Sequence, residues 1–127
     1  MDIRLKRQEN PPLSPPVFYI LLALADRERH GYAIMQEVER RTGDKVRLLP
    51  GSLYSTIKRM LQAGLIVECD AAEVDPDNDD ERRRYYRITT AGREAAQEEV
   101  DRMSTLLRVA GEKKLTESLA EAREPGT

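Results

Sequence analysis

Pro50-Gly51-Ser52-Leu53-Tyr54-Ser55-Thr56-Ile57-Lys58-Arg59-Met60-Leu61-Gln62-Ala63-Gly64-Leu65-Ile66 is the stretch that decides the fold of this 127-residue chain. Pro50 and Gly51 open a helix, and Leu53, Ile57 and Leu61 recur four residues apart on one face. Gly64 stands where a helix commonly closes in a left-handed conformation. That face is built for a core. The opposite face carries Tyr54, Ser55, Lys58 and Arg59, an aromatic, a hydroxyl and two cations able to meet phosphates and base edges in a major groove. This is the layout of a recognition helix.

Working backwards, His30-Gly31-Tyr32 begins a second amphipathic segment in which Ile34, Met35 and Val38 face inward and Thr42-Gly43 marks the end. Seven residues, Asp44 to Pro50, connect it to the first. The pair predicts a helix-turn-helix. Working forwards, Leu65-Ile66-Val67 is a short apolar run, and Arg84-Tyr85-Tyr86-Arg87-Ile88 alternates with period two. Paired antiparallel, these runs point Tyr86 and Ile88 toward the helices and Tyr85 and Arg87 toward solvent or nucleic acid. The hairpin reads as a wing, with Arg82, Arg83 and Arg84 on its returning edge where a phosphate backbone would pass.

In these residues the chain resembles PadR-type transcriptional regulators. The resemblance rests on His30-Gly31-Tyr32, Pro50-Gly51-Ser52-Leu53-Tyr54, Lys58-Arg59-Met60-Leu61, Gly64-Leu65-Ile66 and Arg83-Arg84-Tyr85-Tyr86-Arg87-Ile88-Thr89, followed by Ala91-Gly92, and it spans roughly Leu13 to Leu107. It implies a dimeric, usually repressing DNA-binding protein with a C-terminal dimerisation helix, in many members relieved by a small molecule or a stress signal. Two departures stand out. Ser55 occupies a position where members commonly have proline after the tyrosine, which bears on base preference. The wing also carries Asp70 to Glu81, a long acidic run that phosphate repels, so contact falls to the arginines behind it.

Composition bounds the reading. The chain is long enough for one small core aided by dimerisation, and the expected fold class is mainly α with a small β-hairpin, a winged helix-turn-helix followed by a long helix. Lys and Arg number 21 against 23 Asp and Glu, a formal charge of −2 that opposes nucleic-acid binding as a total. Distribution outweighs it: acids gather in the wing tip and the C-terminal third, leaving Lys58, Arg59, the wing arginines, Lys45 and Arg47 as a basic surface. Cys69, the single cysteine, excludes an intrachain disulfide and reads as a small buried residue. No apolar run approaches a membrane span and Met1 to Asn10 has no signal-peptide centre, so a cytoplasmic protein is expected.

Chemistry is not expected. A glycine-rich phosphate loop, a nucleophile elbow and a second histidine are all missing, so the chain does not read as an enzyme and implies no cofactor. Asp75, Asp77 and Asp79 alternate as in a calcium loop, but Asp80 stands where glycine is needed and Tyr86 where glutamate is needed. One histidine and one cysteine cannot make a structural zinc site, and no metal site is assigned. His30 reads as a structural residue at a helix entrance.

The domain plan runs as an N-terminal arm over 1–12, a winged helix-turn-helix over 13–89, a dimerisation helix over 90–122 and a disordered tail over 123–127. Ser14 caps a first core helix from about Pro15 to Ala25, with Pro15 at its first position and Leu13 packing on Phe18. That helix is apolar nearly all round. Thr89 or Thr90 caps a long final helix reaching about Leu119, where Val100, Met103, Leu106, Leu107 and Ala110 form a stripe that only a second subunit can cover. Gly111 weakens it by about 1 kcal/mol relative to alanine.

Candidate DNA contacts are therefore Tyr32, Ser52, Tyr54, Ser55, Lys58, Arg59, Arg82, Arg83 and Arg84, with Tyr32 equally suited to a core role. The expected partners are double-stranded DNA, a second copy of the chain and a small-molecule effector, for which Tyr19, Met103 and Leu107 are candidate lining residues; plain dimer core is the competing role for these three. The alternative functional class is a protein-interaction module whose basic face takes an acidic partner.

Overall fold

The computed structural model describes residues 10–74 and 84–116. Its elements are α1 (Pro15–Leu24), β1 (Arg29–His30), α2 (Gly31–Arg41), α3 (Pro50–Gln62), β2 (Ile66–Cys69), α4 (Ala71–Val74), β3 (Tyr85–Ile88) and α5 (Thr90–Glu112). The strands make one antiparallel sheet in the order β1-β3-β2. This is the expected winged helix with a long C-terminal helix.

Local chemistry sets the helix ends. Pro15 and Pro50 lie in the first turns of α1 and α3, where a missing N–H costs nothing. Ser14 takes the N-cap conformation, but its hydroxyl makes no capping bond; its carbonyl accepts the Phe18 N–H at 3.0 Å instead. At the other end of α3, Gly64 sits at φ 76°, its N–H donates to the Leu61 carbonyl at 3.1 Å and that of Leu65 to Met60 at 3.0 Å. These two bonds satisfy carbonyls that a helix end otherwise leaves open.

The core lies between α1, α2 and α3 and the inner face of the hairpin. Ile20, Leu21, Leu24, Ile34, Val38, Leu53, Ile57, Met60, Ile66 and Tyr86 form one buried cluster, with Met35, Leu61 and Ile88 packed on its margin. The buried stripe of α3 is Leu53, Thr56, Ile57 and Met60. Leu61 is displaced to the edge because each four-residue step overshoots a 3.6-residue turn by about 40°. Leu22 on α1 and the apolar stripe of α5 remain exposed.

The sheet pairs Ile66 with Ile88, Val67 with Arg87, Glu68 with Tyr86 and Cys69 with Tyr85. Tyr86 enters the core as expected. Tyr85, expected to face solvent or nucleic acid, is instead buried with Cys69, Ala71 and Val74, its ring edge-on to His30 at a centroid distance of 5.3 Å. The short helix α4 covers this end of the outer face, and β1 extends the sheet beside it with His30 paired to Tyr85. Burial pushes the Cys69 thiol pKa up, in keeping with a small buried residue.

Thr89 caps α5, its hydroxyl accepting the Gly92 N–H at 3.0 Å and donating to the Gly64 carbonyl at 2.6 Å. The helix stops at Glu112, short of the expected Leu119: Lys114 turns to φ 65°, and Leu115 N–H closes on the Ala110 carbonyl at 2.8 Å. Residues 1–9 of the arm, the wing tip from Asp75 to Arg83 with its calcium-like alternation, and everything from Glu117 onward, including the 122 boundary and the tail, lie outside the described residues.

Candidate nucleic-acid interface

Burial of one α3 face leaves the other to solvent. Ser52, Tyr54, Ser55, Lys58 and Arg59 are all exposed, Tyr54 at 49%. Ser55 donates its hydroxyl to the Ser52 carbonyl at 3.2 Å, and Arg59 reaches the Thr56 hydroxyl at 3.4 Å. Lys58 makes no hydrogen bond or ion pair among the described residues. An ammonium with no internal partner is available to an incoming phosphate without first breaking a contact.

Tyr54 has a second role that the sequence did not suggest. Its ring lies against Gly31 at the start of α2, so close that a Cβ there would meet the Tyr54 hydroxyl at 2.2 Å. Tyr32, the next residue, is 59% exposed, which removes its core reading and places it on the surface beside the α2 N-terminus. His30 provides the N-cap of α2, its Nδ1 accepting the Ala33 N–H at 3.2 Å.

The basic surface is largely paired. Arg84 Nη1 meets Glu68 Oε2 at 2.9 Å, Arg87 Nε meets Glu28 Oε2 at 2.9 Å, and Arg47 lies 3.6 Å from Glu39. The Arg87 guanidinium draws the Glu28 carboxyl pKa below its usual range. The carboxylate that meets Arg84 thus comes from the neighbouring strand. Arg82 and Arg83 lie outside the described residues.

Two further groupings escaped sequence reasoning. Glu37 is 7% exposed on α2 and is held by Arg41 at 2.9 Å, by Arg40 and by Arg29 at 3.6 Å. The hydrogen bond from Arg41, followed by those charges, takes its pKa down to about 2 against an opposing burial effect. Arginines three and four residues further along the helix were the available signal. Secondly, Asn10 and Leu13 donate backbone N–H groups to Glu98 at 2.6 Å and Glu99 at 3.0 Å, while Arg102 bonds the Asn10 carbonyl at 3.3 Å. The segment before α1 is thus strapped to α5.

The candidate effector residues are not brought together within the chain. Tyr19 lines a cavity of about 420 Å³ with Leu22, Ala23, Val38, Glu37 and Arg41, whereas Met103 and Leu107 sit exposed on α5 and line no part of it. Val100, Met103, Leu106 and Leu107 do form the expected exposed stripe, with Ala110 half-buried. Among the described residues there is no cluster able to hold a metal ion, and no helix long and apolar enough to cross a membrane.

A helix pair whose second member turns a polar face outward, closed by a three-stranded sheet, defines a winged helix-turn-helix protein. The chain belongs to the transcriptional regulator PadR-like family, whose profile matches residues 20–98. It is 37% identical over 90 residues to the transcriptional regulator Rv3488 of Mycobacterium tuberculosis, covering 71% of this chain and 77% of that protein. Two other curated relatives are uncharacterized proteins, of Lysinibacillus sphaericus (32% identical over 74 residues) and Streptomyces fradiae (39% over 87 residues), and the chain spans 64% and 22% of their lengths. Among solved structures, a PadR family regulator from Clostridium difficile R20291 matches with a TM-score of 0.65 at 21% identity, over 78% of this chain and 97% of the other. Bacillus subtilis PadR in complex with operator DNA matches with a TM-score of 0.57 at 20% identity, over 73% and 48%. At these identities the structural likeness is one of fold.

Proposed function

We propose that the protein is a sequence-specific DNA-binding regulator, acting as a homodimeric repressor on a near-palindromic operator. The observation that carries this is the division of α3 into a buried stripe and an exposed face bearing Ser52, Tyr54, Ser55, Arg59 and Lys58, the last with no partner among the described residues. Lys58 and Arg59 serve phosphate or guanine, Tyr54 and Ser55 base edges or backbone, and Ser52 and Tyr32 phosphates near helix starts. Arg82, Arg83 and Arg84 grip the flanking backbone. The α5 stripe joins two copies, which sets the half-sites about one helical turn apart or a multiple of it. The relative solved with operator DNA supports the reading at the level of fold. An effector that prefers one separation of the recognition helices relieves binding.

The test is anisotropy of a labelled duplex from the gene's own upstream region, titrated at several salt concentrations against a scrambled duplex. Binding at least about a thousandfold tighter to the specific duplex is expected. Equal weak binding to both, repeated with duplexes selected from a random pool, rejects sequence-specific recognition and leaves the protein-interaction module.

A further inference from the structure

Glu68 stands directly across from Tyr86 in the β2–β3 register, and Arg84 lies two residues before Tyr86 on the same strand. Alternation along the strands therefore puts Glu68, Tyr86 and Arg84 on one face of the hairpin. That face looks toward α3: Tyr86 packs in the core with Leu53 and Ile57, and its phenol, shifted upward mainly by burial, also feels the charges of Glu68, Tyr54 and Arg84. The Arg87–Glu28 pair lies on the other face, with Cys69 and Val67. Of the two arginines that carry ion pairs among the described hairpin residues, Arg84 is therefore the one on the face turned toward the recognition helix, and it is held by Glu68 at 2.9 Å while still 70% exposed.

We infer that Glu68 is an affinity-setting residue that withholds Arg84 from the phosphate backbone, so that DNA must displace an internal carboxylate before the wing arginine can engage. The inference rests on the DNA-binding reading of α3 and deepens it by naming what controls the wing contact. Its physical basis is competition between two anions for one guanidinium. A carboxylate oxygen and a phosphate oxygen accept the same planar fork of N–H donors. An exposed pair of this kind is weak in water, so exchange is feasible, yet the freed carboxylate is left next to phosphate and recruits a cation from solution. That uptake cancels about one of the counterions released when Arg84 reaches DNA.

The experiment is a double-mutant cycle of Glu68→Gln and Arg84→Ala, read by anisotropy on the upstream duplex and on a scrambled duplex between 50 and 200 mM salt. In the native background Arg84→Ala is expected to weaken binding about threefold, because the phosphate contact it removes is offset in part by the Glu68 carboxylate that has to be displaced. In the Glu68→Gln background it is expected to weaken binding about tenfold, because there the guanidinium is free to hold phosphate. Glu68→Gln alone should steepen the salt dependence by about one ion, which is close to a 3.5-fold larger loss of affinity across that range. Equal effects of Arg84→Ala in both backgrounds overturn the inference, whatever Glu68→Gln does by itself. Failure of the native protein to bind either duplex overturns the DNA-binding reading and the inference with it; binding with an additive cycle overturns the inference alone. Glu68→Asp, which keeps the charge but shortens the reach, is expected to fall between the native protein and Glu68→Gln.

Discussion

The Tyr54 ring of the recognition helix rests on the backbone of Gly31, at the first position of the preceding helix, with room for a hydrogen there and not for a methyl group. A side chain of the candidate DNA surface is thus aimed by a residue with no side chain of its own. Gly31→Ala is expected to swing the half-exposed ring aside rather than unfold the protein, since the obstructed atoms are the outer end of a side chain. Melting should move by only a few degrees, while specific DNA affinity falls about tenfold. In a Tyr54→Ala background the same substitution should cost no further affinity, and a further loss there would detach Gly31 from the aiming of Tyr54.

Lys58 differs from Arg84 and Arg87 in having no carboxylate partner among the described residues. Lys58→Ala should therefore weaken binding to specific and scrambled duplexes by a similar factor and lower the salt slope by about one. An unchanged slope removes Lys58 from the phosphate contacts.

Glu37 makes a prediction about acid stability. Its pKa is depressed in the folded state to about 2, so its contribution is present above the ordinary carboxylate pKa of 4.5 and is lost as pH falls from there toward 2. Two of its arginines are two-thirds exposed, which screens the gain to roughly 1–2 kcal/mol. Glu37→Gln should destabilise the protein at pH 7 by about that amount. The gap from the native protein should close progressively in urea melts taken from pH 5 down to pH 2. A gap independent of pH would mean that the side chain matters for its shape and not its charge.

The α5 stripe predicts the state of association. Leu106 is 66% exposed in the single chain and has Met103 and Leu107 beside it. Leu106→Glu, which sets a charge in the proposed seam, should convert a dimer to monomers in sedimentation and reduce operator affinity more than affinity for non-specific DNA. A native protein that sediments as a monomer at micromolar concentration would remove the stripe from dimerisation.

What could be read from the chain was what local rules govern. Pro50, Gly64, Thr42-Gly43 and the spacing of Leu53 and Ile57 are punctuation and periodicity, and they placed α2, α3 and the hairpin within a residue or two. What escaped was short or distant. A two-residue strand at Arg29–His30 and a four-residue helix at Ala71–Val74 carry no period, yet they bury Tyr85 against the alternation rule. The bond between Asn10 and Glu98 spans 88 positions, and no window along the sequence contains it. In the candidate interface the outward set of α3 followed from its inward set. Glu68 and Glu28 were invisible as partners because strand register decides which carboxylate meets which arginine.

Thr89 joins two helices with one hydroxyl, donating a hydrogen bond to the carbonyl of Gly64 just past α3 and accepting one from the N–H of Gly92 in the first turn of α5. Gly92 lies so close to the Leu65 carbonyl that even a methyl group there would collide with backbone. The elbow between the recognition helix and the long helix is therefore a weld and not a swivel. The 23 residues of α5 extend about 34 Å, so a change of about 10° in how it crosses a second copy displaces its far end by about 6 Å. In the proposed dimer such a tilt is transmitted through this elbow to α3 as in a lever arm, and the spacing between the two recognition helices becomes a matter of helix crossing angle.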